Sequence, residues 1–90
     1  MVSILWMDIR QLFGRNLRRL RSDAGLTQAS LAERMGVDRA HVSSMERGLQ
    51  NVTLLTLWEA SQAIGVSPAS LLGDEPQLRT GLNQRSNTKF

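Results

Sequence analysis

Between Leu26 and Gly48 the chain reads LTQASLAERMGVDRAHVSSMERG, two short apolar patterns of helical period hinged on Gly36. No other stretch restricts the fold as much, because a glycine between two such short helices leaves room only for a tight turn. Thr27 suits the N-cap of the first pattern, in which Leu31, Ala32 and Met35 share one face at the i, i+3, i+4 spacing of a packed helix. Gly36 can take the left-handed conformation that ends that helix, and Val37 behind it then drops toward the core. Asp38 suits the cap of the second helix, where Val42 and Met45 face inward three apart and Arg39, Ala40, Ser43 and Ser44 stay outside. Gly48 closes that helix. Ala32 is small enough for the two backbones to approach closely at the steep crossing that so short a turn imposes.

Two readings fit this unit. It has the spacing of a helix-turn-helix that reads DNA, and it also fits the generic helical hairpin of many all-α proteins.

The flanks extend the helical pattern. Ile9, Phe13, Leu17 and Leu20 recur at four, four and three, which predicts a first helix over about Asp8–Asp23 ended by Ala24 and Gly25. Arg15, Arg18, Arg19 and Arg21 project around its remaining surface, some solvated and one or two toward a DNA backbone or an internal acid; Arg21 is assigned to an acid. Thr53 can cap a fourth helix with Leu54, Leu57, Ser61 and Ile64 inward, Trp58 and Ala60 flanking, and Gly65 as its stop. Ser67 and Pro68 suit the cap and first position of a short fifth helix carrying Leu71 and Leu72. The expected fold is a compact all-α five-helix bundle over residues 8–73. Residues 1–7 form an N-terminal extension, and the polar, aperiodic residues 74–90 read as a flexible tail.

Composition removes several function classes. With 90 residues, 41% of them hydrophobic, the chain builds one small domain with a modest core, which dimerisation would help. There is no cysteine, one histidine and no metal-ligand cluster, and the acids are scattered over helix surfaces; neither an enzyme nor a metal or cofactor site is expected. The apolar MVSILWM start lacks a basic leader and is too short to span a bilayer, so a soluble cytoplasmic protein without membrane contact is expected. A formal charge of +3 says little about partners. Ten of the eleven basic residues are arginine, which suits two-point grips on phosphate or guanine but equally fits an arginine-rich genome. Aromatic residues are too few for a stacking platform on single strands.

The segments LRRLRSDAGLTQASLAERMGV and LxxLWEASQAIGVSPASLL, together with Ser44, Glu46, Arg47, Gly48 and Asn51, closely resemble the phage-repressor/Cro-like helix-turn-helix family, the XRE family, over about Phe13 to Leu72. The resemblance implies a lambda-repressor-like DNA-binding domain. It places Thr27 and Gln28 at the DNA backbone, where a helix start offers free N–H groups to phosphate, and their alternative role is a helix cap. Base edges would be read by Arg39, Ala40, Ser43 and Ser44, with Arg39 able to span the O6 and N7 of guanine or to contact phosphate instead, and Ala40 able to meet a thymine methyl. Arg47 and Asn51 fall in the loop that approaches the backbone in the family; a solvated arginine and a turn asparagine are the alternatives. Glu46 matches an acid that pairs with Arg21 as a structural ion pair. His41 lies beside the reading surface, as a phosphate contact or a plain surface histidine.

Val52 and Ser61 depart from the proline and alanine common there, which implies a less rigid loop and altered helix packing. Leu55 and Trp58 are larger and more apolar than an outer helix face requires, so with Leu72 they are assigned to a dimer interface, the alternative being that Trp58 covers the core beneath the tail. The implied function is a homodimeric, sequence-specific regulator of transcription binding a roughly palindromic duplex operator, with no small-molecule ligand. In size and layout the chain resembles the single-domain controller proteins of restriction-modification systems. The rival is an antitoxin or adaptor that uses the same scaffold to grip a protein.

Overall fold

Asp8 starts the first helix. In the computed structural model, which describes residues 7–73, its backbone is extended and its carboxylate accepts from Arg10 N at 2.8 Å, capping α1 (Ile9–Asp23). The Arg10 side chain folds back on the same carboxylate, with Nη2 at 2.7 Å from Oδ2, and this hydrogen bond holds the Asp8 carboxyl down at about 2. The readings of residues 1–6 and 74–90 as extension and tail lie outside the described residues.

α2 (Gln28–Met35) opens on a reciprocal cap. Thr27 Oγ1 accepts from Ser30 N at 3.0 Å, and Ser30 Oγ accepts from Thr27 N at 2.9 Å. Gly36 ends the helix at φ 75°, and Val37 N–H donates back to the Ala32 carbonyl at 3.0 Å. That bond satisfies a carbonyl the helix end would leave open and turns the chain into α3 (Arg39–Glu46). Asp38 stands at the cap position of α3, but its side chain takes no hydrogen bond from the first turn. Packing holds the helix in place instead, through the fully buried Val42 and Met45.

α4 (Leu54–Ile64) is capped by Thr53, and the described residues close with a 3-10 turn at Pro68–Leu72 in place of the expected fifth helix. Five residues between Ser67 and Gly73 suffice for one tight turn, and that turn is enough to sink Leu71 completely. Among the described residues there is no strand.

Phe13, Leu17, Leu31, Ala32, Val42, Met45, Leu57, Ala60 and Leu71 make one core. Two expected core positions are not in it: Ile9 is 59% exposed and Leu54 is 82% exposed, each the first residue of its helix. Leu12, Gly14 and Asn16 are buried instead. Gly14 marks the point where α1 crosses the end of α3, since a Cβ there would lie 2.5 Å from the Met45 carbonyl oxygen and 2.6 Å from that of Glu46. Asn16 Nδ2 donates to the carbonyls of Leu71 and Gly73, each at 3.0 Å, and so fastens the 3-10 turn to α1.

The two departures at Val52 and Ser61 have simple accommodations. Val52 packs on the core edge. Ser61 is fully buried, and its hydroxyl donates to the Trp58 carbonyl at 2.6 Å, so the polar group costs little within its own helix.

Candidate nucleic-acid interface

α3 has two unlike sides. Val42 and Met45 fill the core, while Arg39 and Ala40 are exposed and Ser43 and Ser44 are half-buried at the rim. The helix therefore presents its first turn outward on a firmly packed base, in a form that can enter a groove. Ser44 also serves the following loop, because its Oγ accepts from Gln50 Nε2 at 2.9 Å. His41 is half-buried, and Arg47 and Asn51 are exposed beyond the helix end.

A polar chain runs behind this surface. Arg21 Nε donates to Glu46 Oε2 at 2.5 Å, Nη2 to Oε1 at 3.1 Å, and Nη1 to the Leu26 carbonyl at 2.8 Å. The two side chains are only 12% and 3% exposed. A surface ion pair contributes about 0–1 kcal/mol, whereas stripping one partner from a buried pair costs about 3–5 kcal/mol through the charge left behind. This pair belongs with the second kind, and it joins the end of α1 to the end of α3. Gln28 Nε2 adds a donor to Glu46 Oε1 at 3.0 Å, and its Oε1 accepts from Arg39 Nη1 at 3.2 Å.

That link is invisible in sequence. The family resemblance places Gln28 at the DNA backbone, yet its side-chain amide is engaged on both ends by Glu46 and Arg39. Thr27 is exposed and spends its side chain on the cap. What the start of α2 still offers outward is the first-turn N–H groups that the Thr27–Ser30 cap leaves over.

The apolar residues assigned to an interface are also outside: Leu55 is 63% and Trp58 52% exposed, three apart on α4, and Leu72 is exposed at the 3-10 turn. Leu72 shares an apolar groove of about 200 Å3 with Ile9, Phe13, Val52, Leu54 and Leu57. Periodicity places Ile9 and Leu54 inside, yet both stand on this surface. Among the described residues no group of three or more His, Cys, Asp or Glu could hold a metal ion, and no helix is long and apolar enough to cross a membrane.

Residues 17–71 match a family model described as helix-turn-helix. The chain is 47% identical over 66 residues to y4dJ, an uncharacterised HTH-type transcriptional regulator of Sinorhizobium fredii, covering 73% of this chain and 86% of that protein. It is 39% identical over 66 residues to the control protein C.BamHI of Bacillus amyloliquefaciens, with coverage of 72% and 82%. The crystal structure of the restriction-modification controller protein C.AhdI from Aeromonas hydrophila is similar at a TM-score of 0.66 and 39% identity, over 69% of this chain and 94% of that one.

Proposed function

Because the chain belongs to the XRE-type helix-turn-helix family of DNA-binding transcriptional regulators, a non-enzymatic family with a lambda-repressor-like fold, we propose that it acts as a homodimer on a roughly palindromic operator. The α3 helices of the two protomers enter successive major grooves about 34 Å apart. Arg39 takes a guanine edge, Ala40 meets a thymine methyl, and Ser43 and Ser44 complete the reading. The helix start gives the N–H of Gln28 to a phosphate that lies beside Thr27, and Arg47, Asn51 and His41 contact the backbone around it. Leu55, Trp58 and Leu72 supply the dimer contact. The protein works in the cytoplasm, and its own concentration sets its occupancy, in the manner of a controller protein.

The observation that carries this reading is the split of α3, with Arg39 and Ala40 exposed over a fully buried Val42 and Met45. Selection from random duplex DNA tests it. A two-fold-symmetric consensus with half-sites one helical turn apart is expected; a consensus without symmetry would overturn the dimer, and no enrichment would overturn specific recognition. The exposed Leu55 and Trp58 also favour a second reading, a protein-gripping antitoxin or adaptor. That reading gains if the protein enriches no sequence yet binds a partner through α4.

A further inference from the structure

A polar relay runs from the interior to the outer edge of α3. Arg21 and Glu46 lie inside, with side chains 12% and 3% exposed, Gln28 is half-buried, and Arg39 is exposed at the far end. We propose that Glu46 is a specificity-determining residue that acts without touching DNA: it sets the base preference of Arg39 by fixing which way the Gln28 amide faces. The inference rests on the assignment of Arg39 to a guanine edge and deepens it.

Only a residue from another helix can make this link. Arg39 and Glu46 stand at opposite ends of α3, about 10 Å apart along its axis. Gln28 spans the gap in one orientation only. Glu46 Oε1 accepts from Arg21 Nη2 at 3.1 Å and from Gln28 Nε2 at 3.0 Å, and a carboxylate has nothing to donate. The Gln28 oxygen is therefore the atom that meets Arg39 Nη1, at 3.2 Å. A reversed amide would set N–H groups against a guanidinium that can only donate.

Holding and reading are compatible. A guanidinium carries five N–H donors, so one given to Gln28 leaves four, and guanine O6 and N7 take two. A long side chain steadied before contact also loses less freedom on binding than one that is not. Glu46 is thus a positioning residue for the base contact as well as half of an ion pair.

Binding of the full chain to the selected operator and its single-base variants tests the proposal. Glu46→Gln leaves an oxygen for Arg21 and turns N–H groups toward Gln28, whose amide must then reverse and drop Arg39. Preference at the Arg39 base pair should fall by about two- to tenfold, the net effect of one hydrogen bond, while preferences at other base pairs stay. Adding Gln28→Glu to Glu46→Gln provides a carboxylate that accepts from both sides, and should restore that preference even where overall affinity drops. A role in stability alone would not be rescued this way. In an Arg39→Ala background, Glu46→Gln should shift no preference. Circular dichroism checks the fold, and Gln28→Leu, which leaves the ion pair intact, should show the same loss if Glu46→Gln does not fold. Wild-type preference in folded Glu46→Gln or in Gln28→Leu, a loss shared equally by all base pairs, or a double variant no better than Glu46→Gln would overturn the relay, while a shifted preference in Arg39→Ala leaves the guanine reading standing. Wild-type preference in Arg39→Ala would overturn both.

Discussion

Gln28 holds Arg39: its side-chain oxygen accepts from Arg39 Nη1 at 3.2 Å, tying the first residue of α3 to the first residue of α2. The direction of that amide is not free. Its nitrogen faces Glu46 at 3.0 Å, and an ionised carboxylate can only accept, so the oxygen must point the other way, toward Arg39. Glu46 is in turn locked by Arg21. The outward posture of Arg39 thus traces back, through two side chains, to α1.

Arg39→Ala is expected to relax the preference at one base pair in each half-site, because a good two-point contact contributes about 1–3 kcal/mol of discrimination. Binding measured against every single-base variant of the selected operator checks this. Loss by one common factor across all variants would make Arg39 a phosphate contact instead.

The double substitution Leu55→Glu, Trp58→Glu should leave a helical protein that sediments as a monomer and loses most operator affinity, since one α3 reads only a few base pairs. Both side chains are more than half exposed, so the core does not depend on them. Sedimentation with and without operator reads the outcome. An intact dimer in the double mutant would move the interface off Leu55 and Trp58, onto the groove that Leu72 shares with Ile9 and Leu54.

Gly14→Ala should destabilise the fold by about 1–2 kcal/mol in urea unfolding. Helix propensity alone would favour alanine by about 1 kcal/mol, but overpacking costs about 1–3 kcal/mol. Here the obstruction is two backbone carbonyls at 2.5 and 2.6 Å, which no side-chain rotation can relieve. A raised midpoint would mean that α1 lifts from α3 without penalty.

Acid titration singles out Asp8. Its folded value of about 2 lies below the ordinary 3.8, so its charge favours the folded state at pH above 3.8, and that advantage is lost as the pH falls through about 2. Asparagine keeps the cap and removes the charge. The difference in Tm between wild type and Asp8→Asn should therefore be steady near neutrality and shrink between about pH 4 and 2. A gap that does not change with pH would rule out the Arg10 pairing as its source.

Much of this was legible from spacing. Phe13, Leu17, Leu31, Val42 and Leu57 stand at helical intervals, and Gly36 between two short patterns requires a tight turn; both follow from local geometry. The residues that escaped notice answer to distant partners. Asn16 is buried because Leu71 and Gly73, more than fifty positions away, present carbonyls to it. Gly14 carried a faint signal as a poor helix former inside a helix, but nothing local says what comes near it. Ile9 and Leu54 fit the apolar period yet open their helices, where a periodic position need not be covered. At the candidate interface the outward set on α3 could be read from its period, whereas the hold of Gln28 on Arg39 depends on a loop bringing two helix starts together.

The two sides of α3 also bear on how such a protein could change its target over generations. Val42 and Met45 anchor the helix, and Glu46 can be replaced only in concert with Arg21. Ala40 has no such ties, and Arg39 gives up only one exposed hydrogen bond to Gln28. Drift at those two positions can rewrite what is displayed while the scaffold is inherited intact, so related chains can diverge in the sequence they answer to long before they diverge in shape.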